Sequence, residues 1–287
     1  MELSLIVQSL LEGVLNGSVY TLVALGLGLI WGVTELVNFA HGDFLMLSAF
    51  VAYFLHYYVG LDPIESIPIC FAINFLIGFI VQRFLLNRII EAHLLAQTFS
   101  TFALALIVRN SFYVSLGPDV KSISNPLATM AVDVMGIRLS TAKIIATAIA
   151  VSLTIALYLF LQKTYIGTAI RAVSQNRVAA QLMGVNTKQT YCLSTGIAVG
   201  LAGVAGALIA SYYYIFPEIG PSFTTLAFVA VVLGGIGSIQ GATVGALLVG
   251  LLQSIGALLF VPAIKDVVVF LAFIVFLTIR PRGLFGD

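Results

Sequence analysis

Residues 142–161 read AKIIATAIAVSLTIALYLFL, with Lys143 the only charge in the run, and Leu22–Ile30 reads LVALGLGLI with none. A helix of about 20 apolar residues covers the ~30 Å hydrocarbon core of a bilayer, and 142–161 is a stretch of that length. Lipid offers the backbone no water to bond to. Only elements that pair their own N–H and C=O groups persist there, so such runs predict spanning helices. The rest of the chain agrees: 60% of its 287 residues are apolar and 9% are charged. At roughly 30 residues per span and loop, this length holds about nine segments and no separate soluble domain.

Spans are predicted near 8–31, 38–59, 64–82, 94–115, 141–162, 191–211, 224–237, 241–260 and 266–280, the seventh too short to cross as an ordinary helix. The expected fold class is therefore all-α. It is a polytopic membrane helix bundle of about eight to nine segments, counting those broken by glycine, in a single transmembrane domain over 1–287. Spans one and six lie five passes apart and so run in opposite directions, which suits an inverted repeat with halves 1–140 and 141–287.

Charge and cysteine usage exclude several classes. A net charge of +1 with scattered basic residues offers no field for nucleic acid. Cys70 and Cys192 stand alone in apolar sequence and read as small buried hydrophobes rather than as a metal or redox pair. The chain opens with Glu2 and next carries Glu12, whereas a cleavable signal needs a basic start, so the first apolar stretch is expected to be retained. With the amino terminus outside, Arg83, Arg88, Lys163, Arg171, Arg177, Lys188, Arg280 and Arg282 fall in the cytoplasm, against Lys121, Arg138, Lys143 and Lys265 opposite. The positive-inside rule then favours an external amino terminus and a cytoplasmic carboxyl terminus.

Two connections are long. The outer one, Gly117–Ser140, holds Pro118, Asp119, Lys121, Asn125, Pro126 and Asp133 and reads as a solvated loop. The inner one, within 163–190, reads as one short helix over 167–186. Ala169, Val173, Ala180 and Met183 fall on one face and Gly184 is the stop. Membrane-surface anchors carry Trp, Phe and Leu on the apolar face. Small residues here suit docking in a protein groove instead, and the segment is expected to pass force from a soluble partner to the bundle.

Glycines are dense, 26 in all, with Gly13/Gly17, Gly28/Gly32, Gly196/Gly200 and Gly237/Gly241/Gly245 at the four-residue spacing that lets helices approach closely. The cluster 233–241, LGGIGSIQG, is denser than packing requires and predicts a broken segment. A counterpart is NFAHGD at 38–43. Asn38 and Asp43 there either cap a helix or, with His41, line a pathway or gate, since interrupted segments in two halves point to a transport site. Arg109 is the one basic residue well inside a span, expected to snorkel outward or to meet a carboxylate on a neighbouring helix. Glu12, Glu35 and Glu218 lie nearer span ends.

No Lys sits in the Gly-Lys-Ser/Thr context of a phosphate-binding loop, so the chain has no such motor of its own. Its acidic residues cluster at span ends, unlike those of many gradient-driven carriers. Membrane-embedded catalysis would require a nucleophile with a base, paired carboxylates or metal-ligand spacing, and only Asn38, His41 and Asp43 are close together.

The stretch GSVYTLVALG at 17–26 followed by VNFAHGD at 37–43 resembles the amino-terminal signature of branched-chain amino acid ABC transporter permeases of the LivH type. GTAIRA at 167–172 with GVN at 184–186 resembles that family's cytoplasmic coupling segment, VLGGIGS at 232–238 with Gly241 its late glycine signature, and PRGLFG at 281–286 its close. The resemblance implies a non-catalytic, all-helical permease of a prokaryotic cytoplasmic membrane that binds no cofactor. ATP would be bound by two partner ATPase subunits, beside a second homologous permease and an external substrate-binding protein. Pathway or gate residues expected from the two interrupted segments are Asn38, His41, Gly42, Asp43, Gly234, Gly235, Gly237 and Ser238. The expected ATPase-coupling residues are Gly167, Arg171, Ala172, Asn176, Arg177, Ala180 and Gly184. Related permeases carry urea, sugars or nucleosides, so urea or another small solute stands as the alternative cargo, and a gradient-driven carrier as the alternative mechanism.

Overall fold

A computed structural model describes residues 3–125, 130–134, 137–261 and 264–285; Pro126 of the outer loop and Gly286 of the closing motif lie outside these. The helices are α1 (Leu3–Thr34), α2 (His41–Val59), α3 (Ile67–Val81), α4 (Leu94–Leu116), α5 (Thr141–Lys163), α6 (Tyr165–Gln175), α7 (Arg177–Leu182), α8 (Thr187–Ala210), α9 (Ile219–Gly234), α10 (Ile239–Leu259) and α11 (Lys265–Ile279). A π-helical turn, Gln82–Leu86, and a further turn, Asn87–Ile89, carry α3 onward. Among the described residues seven helices are long and apolar enough to cross a membrane, and α9 is apolar but shorter.

The bundle is organised around α1 and α8. The apolar window of α1 is 78% buried and that of α8 89%, whereas those of α3, α4 and α5 are 28%, 11% and 22% buried. A helix apolar on all sides and buried is a core helix, and one equally apolar but uncovered faces lipid. The two core helices pack on each other. In addition α1 lies along α10 and α8 along α3 and α2. Small residues permit this: a Cβ on Gly13 would stand 2.9 Å from the Leu251 Cα, and one on Gly17 2.9 Å from the Leu247 Cα. On α8, Gly196 and Gly200 accept the rings of Phe75 and Phe71. Cys70 and Cys192 are buried free thiols.

Helix ends depart from the apolar runs for local reasons. α1 starts at Leu3 rather than near 8, its polar Ser9 donating to the Ser254 carbonyl of α10 at 2.9 Å. α8 starts at Thr187 because Asn186 caps it, accepting from the Gln189 N–H at 3.1 Å. α9 occupies 219–234 instead of 224–237 and ends where Gly235 takes φ 103°, open to glycine alone at little cost.

The inner connection is two helices, not one. Asn176, at φ −157° and ψ 103°, ends α6 and caps α7 by accepting from the Ala179 N–H at 2.9 Å. An asparagine competes with the backbone in this way, and the period of the apolar residues does not register it. The seated face is Gly167, Ile170, Val173 and Ala180; Met183, expected on it, is 84% exposed. The outer connection also holds unpredicted structure, an antiparallel hairpin of β1 (Ala131–Val134) and β2 (Ile137–Ser140) with Ala131 opposite Ser140. A further bridge joins Lys121 to Ile215 through reciprocal 2.8 Å backbone bonds.

Candidate functional site

The link between α1 and α2 does not turn back at the end of α1. His41 Nε2 donates to the Val23 carbonyl at 3.1 Å, eleven residues before Thr34. At 1.5 Å per residue, 35–40 therefore climbs about 16 Å back along α1 before α2 begins. Gly26 makes room for the imidazole: a Cβ there would lie 2.9 Å from its Cε1. Asn38 folds the link into a local turn, its Oδ1 accepting from the Ala40 N–H at 3.1 Å. Ala40, not Asn38, stands at the N-cap position of α2, and no side chain caps it.

The start of α9 meets the start of α2. The Gly42 N–H donates to Thr224 Oγ1 at 2.9 Å, and a Cβ on Gly220 would stand 3.0 Å from the Asp43 Cα. Two helix amino termini thus converge inside the bundle, each carrying about half a positive charge. Asp43, fully buried in the first turn of α2, and Glu218, the residue before α9, supply two negative charges there. Arg109 of α4 supplies the remaining positive charge, its Nε 3.2 Å from Asp43 Oδ1 and its Nη1 3.7 Å from Glu218 Oε2. Two half-charges and one guanidinium against two carboxylates leave the junction close to neutral. Arg109 therefore pairs inward rather than snorkelling out.

Two polar atoms of the link are left over. Asn38 Nδ2 and His41 Nδ1 are buried without a hydrogen-bond partner. Each such group costs about 1–3 kcal/mol, an expense tolerated where a site has another use for it. Beside Asn38 lies an almost wholly apolar cavity of about 130 Å³, walled by Leu27, Val37, Phe39, Thr224, Thr225 and Phe228.

Gly234, Gly235, Gly237 and Ser238 stand elsewhere. A Cβ on Gly32 would be 3.1 Å from the Gly237 Cα, so this turn sits level with the end of α1, nine residues, or about 14 Å, from Val23. Ser238 caps α10, accepting from the Gly241 N–H at 3.0 Å. The closing motif completes the turn: the Leu284 and Phe285 N–H groups donate to the Leu233 and Gly234 carbonyls, both at 2.9 Å, pairing acceptors that the end of α9 would otherwise leave open. The late glycine cluster and the Asn38–Asp43 link thus form two separate places along α1.

The residues expected to couple to an ATPase gather at this same end. Arg171 Nε donates to the Leu161 carbonyl at 2.9 Å, and a Cβ on Gly167 would meet the Leu161 Cα at 2.5 Å, which folds α6 tightly against α5. Arg177 pairs with Glu91, and Ala180 is buried beside it. Ala172 is half-buried, Gly184 takes φ 86° after α7, and Asn176 separates the two helices. Cavities of about 710 and 420 Å³ flank Glu35, the first lined by Trp31, Arg171 and Gly237, the second by Gln97, Arg177 and Tyr191. Glu35 itself adopts φ 57°.

Sequence reading missed Thr224, Glu218 and Val23 as partners of the link. No local signal marks them: a threonine in an apolar helix, a glutamate at a span end and a main-chain carbonyl acquire their meaning from contacts more than fifteen residues away in the chain.

Comparison with known proteins follows the same outline. The family described as "Branched-chain amino acid transport system / permease component" matches residues 9–277. The high-affinity branched-chain amino acid transport system permease protein BraD of Pseudomonas aeruginosa is 30% identical over 97% of this chain and 95% of its own length. LivH of Escherichia coli, named in the same words, is 28% identical over the same shares. A probable branched-chain amino acid transport permease protein LivH of Methanocaldococcus jannaschii is 30% identical over 86% of this chain and 80% of its own. No solved structure matches significantly.

Proposed function

The chain belongs to the branched-chain amino acid transport system permease family, and on that premise we propose that it carries branched-chain amino acids across the cytoplasmic membrane of a prokaryote, driven by ATP that separate subunits hydrolyse. It acts as the non-catalytic permease, paired with a second homologous permease, two ATPase subunits and an external binding protein. The amino terminus faces outward and the carboxyl terminus the cytoplasm.

The observation that carries this reading is the two-faced inner connection. Gly167, Ile170, Val173 and Ala180 seat it on the bundle, while Tyr165, Val178, Leu182 and Met183 point away, 84%, 64%, 83% and 84% exposed. Val173 and Ala180, expected to meet a partner, thus face the bundle, and it is the exposed apolar residues of these two short helices that supply an interaction surface for one. Movement of α6 and α7 is transmitted through Arg171 and Gly167 to the end of α5, and through the cavities about Glu35 to the link 35–40. Asn38, His41, Gly42 and Asp43 then act as the gate. The late turn Gly234–Ser238 flanks the cytoplasmic exit. α1 against α10 mirrors α8 against α3, which supports reading 1–140 and 141–287 as inverted halves.

Reconstituted with its ATPases and binding protein, the chain is expected to accumulate labelled leucine only with ATP. Uptake of urea in place of leucine would redirect the cargo assignment, and ATP-independent leucine uptake by the purified chain would overturn the mechanism.

A further inference from the structure

We propose that the hollow between the end of α3 and the start of α8 binds the phosphate headgroup of an anionic phospholipid. The hollow, of about 470 Å³, is lined by Arg83, Arg88 and Lys188 together with Asn87, Gln189 and Phe79. None of the three cations forms an ion pair among the described residues, although five other basic residues do. Like charges grouped without a counter-charge repel one another, and an anion between them relieves that repulsion.

The backbone is shaped to make this grouping. Arg83 and Arg88 are five residues apart and would stand about 140° from each other around a regular α-helix. The π-helical turn Gln82–Leu86, which contains Arg83 and ends two residues before Arg88, widens the helix and brings both to the same hollow; such turns recur at functional sites. The turn is held from beneath. Gln82, 1% exposed, donates to Asn87 Oδ1 at 2.9 Å and accepts from Thr195 Oγ1 at 2.8 Å, and Asn87 Nδ2 reaches Cys192 Sγ at 3.5 Å.

A lipid fits better than a soluble anion. Phe79 of α3 lines the hollow, and on the same helix and the turn that follows it Leu76, Ile80 and Phe84 are 58%, 45% and 58% exposed. An occupant with a charged head and a long apolar body meets both parts, as at other basic pockets beside spanning helices. Inorganic phosphate would meet only the charged part. The inference is tested apart from the transport reading: its three cations belong neither to the link nor to α6 and α7, although Lys188 lies within the inner connection 163–190.

The test uses the purified full chain in nanodiscs of phosphatidylcholine doped with phosphatidylglycerol, with the lipid retained by the protein read by native mass spectrometry. The wild type is expected to retain phosphatidylglycerol selectively. The combined variant Arg83→Gln, Arg88→Gln, Lys188→Gln is expected to bind it more than about tenfold more weakly, and Lys163→Gln to bind it normally. If the triple variant does not fold, Arg83→Gln and Lys188→Gln alone are each expected to weaken binding about fivefold. Equal retention by variant and wild type, equal retention of phosphatidylcholine, or displacement by inorganic phosphate alone would each overturn the proposal.

Discussion

The Gly42 N–H donates to Thr224 Oγ1 at 2.9 Å, joining the first turn of α2 to α9 across 182 residues of chain. The contact leaves no space for a side chain: a Cβ on Gly42 would run into both the Gly220 carbonyl and the Thr224 hydroxyl. Gly42→Ala is therefore expected to part the two helix starts, abolishing uptake and lowering the unfolding temperature in detergent. Thr224→Val keeps the shape but strands a buried N–H, at a cost of about 1–3 kcal/mol. It should be milder than Gly42→Ala in a thermal melt, and the reverse order would refute this account of the junction.

Asp43→Asn leaves Arg109 with Glu218 alone, while Arg109→Gln leaves Asp43 buried without a counter-charge. Breaking one side of a buried pair typically costs about 3–5 kcal/mol. Arg109→Gln should thus be the more damaging single change, and the double variant should recover part of the loss. Melting of the four proteins in one detergent measures the coupling directly; strict additivity would mean that the two charges do not sense each other.

Met183→Glu places a carboxylate on an exposed apolar tip, so the chain should insert and melt like the wild type while ATP-driven uptake fails. Gly184→Val should act differently. Nothing lies within 4 Å of a Cβ there, but φ 86° strains a branched residue, with a stability loss of about 1 kcal/mol or more. Uptake with ATPase partners, set beside a melt of the permease alone, separates the two effects.

Removing residues from 283 onward strips the donors from the Leu233 and Gly234 carbonyls. Hydrogen exchange at the last turn of α9 is expected to accelerate in the truncated chain, with little change in α1 or α8. Uniform protection would show that the closing motif contributes nothing to that turn.

The spans were legible because lipid imposes one blunt demand, and runs such as 142–161 answer it in composition alone. The helical character of the inner connection was legible for the opposite reason, as the polar interruption between two such runs. Depth was not legible. The polar residues of NFAHGD mark an interruption at 38–43, although the second span was expected to begin at 38, and nothing in them says that the chain climbs along α1 to Val23 rather than resting at the surface. The split at Asn176 and the π-turn at Gln82 also escaped the periodic pattern. One depends on a side chain accepting from its own backbone, and the other on a glutamine held by Thr195 from a helix far along the chain. Of the candidate residues, Asn38, His41, Gly42 and Asp43 do come together, but what surrounds them is set by tertiary contact.

The apolar window of α4 is 11% buried, and the helix is fastened to the bundle at discrete points: Arg109 to Asp43 and Glu218, the Tyr113 hydroxyl to Glu218 at 3.4 Å, Thr101 Oγ1 to the Val37 carbonyl at 3.2 Å, and the Phe112 ring on Phe50 at 4.9 Å. A continuous seam must peel as a unit, whereas separate fasteners can be undone singly. The hold of α4 therefore rests on a few named side chains, so that each one removed takes away a larger share of it than a lost contact does between the buried α1 and α8.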